Sequence, residues 1–233
     1  MKIIGIDSSG LVAGVAVRED DKVIAEYSTN YKKTHSQTLL PMLDQIREMI
    51  DLDMKTVDAI AIAAGPGSYT GLRIGSATAK GIALSLDIPI VEVSTLDALA
   101  YNLWGTKDFV CPIMDARRKQ VYAGIYEFDP DLNVIVPPSA TDIFSIIDKL
   151  NEFGDSVIFL GDGVPAYKDI IEERMKVPYR FAPPHKNHQS AASVACLGAM
   201  YYREGKAINA DDHAPVYLRK SQAESEGPQN FEV

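Results

Sequence analysis

The amino-acid sequence predicts an α/β protein of two similar lobes, and three observations carry that expectation. Apolar segments of strand length alternate with segments of helical period. The order βββαβαβα runs once up to about residue 105 and again after it. The two runs also share letters, since IDSSGLVAGVAV (6–17) and MDARRKQVYAGIYE (114–127) each close a first strand on Asp and place Ala-Gly and a branched residue in the second. Continuous apolar strands between helices are the mark of a parallel sheet covered on both faces.

In the first run KIIGID, VAGVAVR and KVIAEYS read as a three-stranded meander turning at SSGL and EDD. TLLPMLDQIREMI (38–50) has Leu39, Met42, Leu43, Ile46, Met49 and Ile50 at helical spacing, with Thr38 as cap and Pro41 confined to the first turn. A strand at 58–64, a helix at 71–86, a strand at 90–93 and a helix at 95–103 complete the lobe. The second run reads FVCPIMD, QVYAGIYEF and LNVIVP as strands, then a helix at 142–151, the strand SVIFL, a helix at 166–176, the strand PYRF and a helix at 190–203. The expected division is 1–105 and 106–220, with the last helix open to packing back on the first lobe. Residues 221–233, polar and acidic, are expected to be a disordered tail.

Hydrophobic residues make up 46% of the 233-residue chain and charged residues 24%, with no apolar run near the roughly 20 residues that span a bilayer. The start MKIIGIDSSG enters a strand without an export signal, and Cys111 and Cys196 stand alone, so a cytoplasmic protein is expected. A net charge of −9 argues against nucleic-acid binding by this chain alone. Lys32-Lys33 and Arg117-Arg118-Lys119 are its basic clusters, read as solvated turns or as parts of a surface shared with a partner.

AGPGSYTGLRIG (64–75) places Gly65, Gly67 and Gly71 between an apolar strand and a helix. Free N–H groups and a helix N-terminus there favour an anion. Against this, the spacing is neither the dinucleotide fingerprint nor a P-loop. The second reading is a tight turn capped by Ser68 or Thr70. The third concerns the helix itself, in which Gly75, Ala77, Ala79, Gly81 and Ala83 allow close backbone approach on more than one face, as an interface needs.

GIDSSGLVAGVAV, AAGPGSYTGLRIGSATAKGIA, DARRKQVYA and APVYLR (214–219) together closely resemble the TsaB, or YeaZ, family, over the whole chain to about Arg219. The resemblance implies the two-lobed actin-like fold shared with Hsp70 and sugar kinases. It implies a subunit of the bacterial machinery that puts threonylcarbamoyl on adenosine 37 of ANN-decoding tRNAs. In that family the chain docks on the catalytic subunit TsaD, forms a homodimer when alone, and assembles with the ATPase subunit TsaE. Carried onto this sequence, the docking helices supply Leu39, Leu43, Ile46, Gly71, Arg73, Ile74, Gly75, Thr78, Gly81 and Ile82. tRNA is expected to be reached only through the complex, with ATP and a metal on the partner subunits and no cofactor on this chain.

In kinases of this fold an Asp on the first hairpin of each lobe handles metal and nucleotide. Asp7-Ser8-Ser9-Gly10 suits that role, whereas Asp115-Ala116-Arg117-Arg118 puts bulky side chains where glycines belong. Asp7, Ser8, Ser9, Gly65, Gly67, Asp115, Gly161 and Gly163 are therefore expected to line a vestigial nucleotide cleft, Asp7 serving its own turn and the last two glycines a strand-to-helix turn. The HxxxH metal pair of the catalytic relative TsaD is replaced by Ser94-Thr95-Leu96-Asp97-Ala98-Leu99. His185 and His188 fall in a polar loop without an accompanying acid, and no GxSxG elbow frames a nucleophile. No catalytic or metal-binding residue is expected. The alternatives carried forward are a small-molecule phosphotransferase or ATPase that uses the inter-lobe cleft with Asp7 as metal ligand and, less well supported, a metallopeptidase.

Overall fold

A computed structural model of the chain describes residues 1–31, 34–116 and 120–219. The expected clusters Lys32-Lys33 and Arg117-Arg118-Lys119 and the tail from 221 lie outside the described residues. The first lobe contains β1 (Lys2–Asp7), β2 (Ala13–Glu19), β3 (Lys22–Thr29), α1 (His35–Met49), β4 (Ala59–Gly65), α2 (Tyr69–Leu86), β5 (Ile90–Ser94) and α3 (Thr95–Tyr101). The second contains β6 (Phe109–Asp115), β7 (Gln120–Phe128), β8 (Leu132–Asp142), α4 (Ile143–Phe153), β9 (Val157–Leu160), α5 (Val164–Arg174), β10 (Tyr179–Phe181) and α6 (Ala191–Arg203).

Strand order is β3-β2-β1-β4-β5 in one sheet and β8-β7-β6-β9-β10 in the other, the same sequence of positions twice. In each, an antiparallel meander continues into parallel strands, with β1 on β4 and β6 on β9. This duplicated mixed sheet with helices on its faces is the two-lobed actin-like arrangement.

The first sheet is covered on one face by α1 and α2, where Leu39, Met42, Leu43 and Ile46 meet Ile4, Ile6, Ile60 and Ile62. Its other face is covered by α6, which follows the second lobe in sequence yet packs on β1, β2, β4 and β5. The approach is close: a side chain at Gly5 would overlap the Ala191 carbonyl, and one at Gly198 would overlap the Ala61 side chain. A third cluster joins the lobes, with Leu96, Leu99 and Ala100 of α3 against Val110, Met114, Tyr126, Ile158 and Leu160.

Expected helix boundaries move by two or three residues at several ends, and two of the shifts change a residue's role. α1 begins at His35 with Thr34 at its N-cap, so Thr38 is a buried helical residue and Pro41 lies inside the helix. Both Pro41 and Gln37, whose carbonyl it leaves without a helical partner, are exposed, so that carbonyl is not sealed in the core. α2 begins at Tyr69, capped by Ser68, whose hydroxyl accepts from Gly71 N at 3.3 Å. β8 continues past the expected Pro137 to Asp142, which then caps α4.

Candidate functional site

The glycine loop folds back on the hairpin turn of its own lobe. Ser68 N donates to the Ser9 carbonyl at 2.7 Å, and the Ser8 hydroxyl donates to the Gly71 carbonyl at 2.9 Å. A Cβ at Gly67 would overlap the Ser9 carbonyl, and one at Gly71 the Ser8 carbonyl. The loop glycines thus exist for backbone-to-backbone contact inside the lobe, and the Ser68 N–H is engaged there. Gly65, at φ +130, passes under Val216, whose N–H donates to the Ala64 carbonyl at 2.7 Å.

Asp7, 1% exposed, uses Oδ1 to accept from Ser9 N at 2.9 Å and from the Ser9 hydroxyl at 2.7 Å. Its other oxygen is buried without a hydrogen-bond partner, and burial raises the carboxyl to about 6. The two Ser9 hydrogen bonds, and after them the His35 ring, whose Nε2 is 2.9 Å from the Gly10 carbonyl, partly offset that rise. Across the cleft, burial also raises Asp162 to about 6, with Asp115 adding repulsion. Gly163 N donates to the Ile113 carbonyl at 3.0 Å and Gly161 N to Asn187 Oδ1 at 2.7 Å, so both glycines serve the turn after β9.

The segment between β10 and α6 fills the space beside these turns. Gln189 is buried against Gly10 so closely that a Cβ there would overlap its amide, and Asn102 Nδ2 donates to the Lys186 and His188 carbonyls at 3.2 and 2.8 Å. His185 is exposed and His188 half-buried. Among the described residues no group of three or more His, Cys, Asp or Glu is placed to hold a metal.

In α3, Asp97 accepts from the Tyr126 hydroxyl at 2.8 Å and the Tyr201 hydroxyl at 3.3 Å. One carboxylate therefore ties the second lobe and α6 to α3. Burial and this acid push both tyrosines upward in pKa.

The helix residues expected at an interface divide in two. Leu39, Leu43 and Ile46 are core residues of the first lobe, and a side chain at Gly75 would overlap the Ser8 hydroxyl. Those five positions, Gly71 included, face inward, because the apolar stripe of each helix is what covers the sheet. Ile74, Thr78 and Ile82 are half-buried, and Arg73 and Gly81 face outward. The stripe that α2 presents outward is Tyr69, Arg73, Ala77, Gly81 and Leu84, of which Leu84 is 54% exposed. On α1, which packs against α2, Leu40 is also 54% exposed, and Met49, on the opposite side of α1, is 85% exposed. Leu40, Pro41, Asp44 and Glu48 line a shallow groove there of about 670 Å³.

A segment from Ile208 to Arg219 runs along the edge of α2. Ile208 bridges Ile90, Lys80 Nζ donates to the Asp211 and His213 carbonyls at 3.0 and 3.1 Å, and Arg219 donates to the Ala116 carbonyl at 2.8 Å. Buried His213 stands between Glu92 Oε1 (2.6 Å from Nδ1) and the Ser76 hydroxyl (2.8 Å from Nε2). The Glu92 carboxylate can only accept, so Nδ1 carries the proton that it donates there, and the Ser76 hydroxyl pairs with Nε2.

The family model described as "TsaD: tRNA N6-adenosine threonylcarbamoyltransferase" matches residues 22–226. The Bacillus subtilis (strain 168) protein named "tRNA threonylcarbamoyladenosine biosynthesis protein TsaB" is 36% identical over 226 residues, 97% of each chain. This chain belongs to the TsaB, or YeaZ, family. The Escherichia coli (strain K12) TsaB is 27% identical over 96% of both chains. A solved structure described as "YeaZ from Pseudomonas aeruginosa" superposes with a TM-score of 0.77 at 24% identity, covering 93% of this chain and 99% of that one. No helix among the described residues of this TsaB-family chain is long and apolar enough to cross a membrane.

The strap that residues 208–219 form along α2 and the Asp97 junction were missed by sequence reasoning. APVYLR marked the strap as a family motif without giving its place, and the absence of the HxxxH pair marked α3 without giving Asp97 its partners.

Proposed function

We propose that this chain is a non-catalytic subunit of the assembly that transfers threonylcarbamoyl to adenosine 37 of ANN-decoding tRNAs. It docks through the outer faces of α2 and α1 on a TsaD-family catalytic subunit, pairs with itself when that subunit is absent, and takes part in recruiting TsaE. ATP and a metal act on those partners, tRNA is met through the complex, and the site of action is the cytoplasm.

The observation that carries this reading is the outward stripe of α2, small at Ala77 and Gly81 and apolar at Leu84, with Leu40 exposed on α1, which packs against α2. Small residues at the middle of a helix face let a second helix come near, and the apolar flanks give it area to bury. The names of the relatives supply the pathway.

The test mixes the chain with the TsaD homologue of its own organism and follows assembly by size exclusion with light scattering. Gly81→Leu and Leu84→Asp, both on the exposed stripe, are expected to abolish the heteromer and leave the fold intact. Wild-type assembly by both variants refutes the docking face.

A phosphotransferase reading draws on one observation, the buried carboxylate of Asp7 and the half-buried one of Asp162, both raised to about 6, at the cleft. Calorimetry with magnesium and ATP on the chain alone decides: no heat is expected, and saturable heat abolished by Asp7→Asn overturns the subunit reading.

A further inference from the structure

We propose that Cys196 is a site of reversible oxidation by hydroperoxides, and that the buried guanidinium of Arg18 holds the sulfenate that forms. The site lies under α6, on the sheet face opposite to α1 and α2, and is independent of the docking role proposed above.

Val194 and Ala195 of α6 pack with Ile3 of β1, while Ala192, Cys196 and Met200, one turn apart, form a half-buried flank of the helix. Arg18 of β2 is the cross-strand neighbour of Ile3, so its side chain rises on the same face of the sheet, under α6. It is 8% exposed. Its NH2 reaches Asp21 Oδ1 at 3.5 Å, and its NH1 is buried without a hydrogen-bond partner. A buried cationic N–H left unpaired is costly, and an anion is its natural acceptor. The group beside the guanidinium is the Cys196 thiol, on which it acts by charge and by hydrogen bonding. A thiol sulfur is a weak acceptor and leaves that donor poorly served, whereas a negatively charged oxygen on the same sulfur would serve it. The carboxylate of Glu26 is engaged at the start of α6, accepting from the Ser190 hydroxyl at 3.0 Å and from Ala192 N at 3.2 Å.

Burial holds the Cys196 thiol above its ordinary range; Arg18 opposes that rise and Glu26 adds to it. The reduced residue is therefore slow toward peroxide, and the selectivity of the site lies in its product. Cys111, by contrast, is sealed in the core of the second lobe, where burial raises its thiol. In the oxidation a sulfur lone pair attacks one peroxide oxygen, an S–O bond forms and the O–O bond breaks. The thiol proton leaves with the departing oxygen as water or an alcohol, sulfur losing two electrons and the peroxide gaining them. The sulfenic acid then releases its proton to solvent as its oxygen pairs with Arg18. A small thiol reverses the change by attacking the sulfur, which expels water and leaves a mixed disulfide that a second thiol resolves. Because Arg18 belongs to β2 and Cys196 to α6, the oxidised residue bonds the helix to the sheet that it covers.

The experiment treats the full chain with stoichiometric hydrogen peroxide, traps sulfenic acid with dimedone and locates it by mass spectrometry, for wild type, Cys196→Ser, Arg18→Lys and Arg18→Gln. Wild type is expected to carry the adduct on Cys196 at about tenfold or more over Cys111, and to lose it when 2-mercaptoethanol precedes dimedone. Arg18→Gln is expected to shorten the lifetime of the sulfenate about tenfold, and Arg18→Lys, which keeps the charge, about threefold or less. Alkylation of the reduced thiol by iodoacetamide is followed beside it and is expected to stay at the wild-type rate. Oxidised wild type is expected to unfold at a higher urea concentration than the reduced chain, a shift that Cys196→Ser does not show. Absence of the Cys196 adduct, equal labelling of Cys111, or an unchanged lifetime in Arg18→Gln overturns the inference. Alkylation quickened in Arg18→Gln by the same factor as the lifetime is shortened makes Arg18 a support for α6 only and overturns it as well. The urea comparison needs no change at Arg18, and an oxidised chain no more stable than the reduced one refutes the pairing by itself.

Discussion

Replacing Asp7 by Asn is expected to stabilise the protein at neutral pH. The Asp7 carboxyl is buried, and its pKa lies at about 6 in the fold against an ordinary 3.8. A group whose folded pKa is raised binds its proton more tightly when folded, so its favourable contribution is complete below about 3.8 and is lost as pH rises through about 6. At about 1.4 kcal/mol per pH unit, the ionised side chain at pH 7 costs about 3 kcal/mol relative to pH 4. Asn keeps the oxygen that accepts from Ser9 N and the Ser9 hydroxyl and carries no charge to desolvate. Urea unfolding followed by circular dichroism is therefore expected to give Asp7→Asn about 1–3 kcal/mol more stability than wild type at pH 7, the gap closing by pH 4. A variant less stable than wild type at pH 7, or a gap that does not change with pH, refutes the argument, since either means the carboxylate is compensated in the folded state.

Gly75→Leu, unlike Gly81→Leu, is expected to lower stability by about 1–3 kcal/mol, because its side chain overlaps the Ser8 hydroxyl, and thermal melts of the two variants separate them. Tyr126→Phe removes one of the two hydroxyls on Asp97 and is expected to cost about 1.5–3 kcal/mol in urea unfolding. His213→Ala unpairs Glu92 and Ser76 and opens a buried space; it is expected to speed hydrogen exchange over 208–219 well before exchange rises in β1 or β4.

Local pattern carried much of the fold. β6 and β7 lie where the apolar segments placed them, and both lobes follow the duplicated order. Helical period also located α1 and α2, but period identifies a stripe without saying what covers it. Leu39, Leu43 and Ile46 satisfy a sheet as well as they satisfy a partner, and the sheet takes them. The glycines of α2 divide in the same way, Gly75 lying against Ser8 and Gly81 against nothing within 4 Å. Thr38 resembled a cap because the apolar run starts beside it, yet the helix extends a turn earlier to His35, whose ring meets the Gly10 carbonyl. Pairings between distant residues leave no periodic trace, so neither Asp97 with Tyr126 and Tyr201 nor His213 with Glu92 and Ser76 was legible. The residues of the cleft were legible one by one, and their distribution between turn contacts and buried charge followed only from burial.

The crossing of α6 sets an order for synthesis. Residues 1–105 contain every strand of the first sheet, yet the face formed by Ile3, Ala59, Ala61 and Ala63 is covered by Val194, Ala195 and Leu197. Until residues 191–203 have been made, the nascent chain carries a finished set of strands with one apolar side bare, while the second lobe holds its own core together through α4 and α5. The lobe that is translated first is thus the one completed last, and the exposed side is a target for chaperones or for self-association throughout elongation.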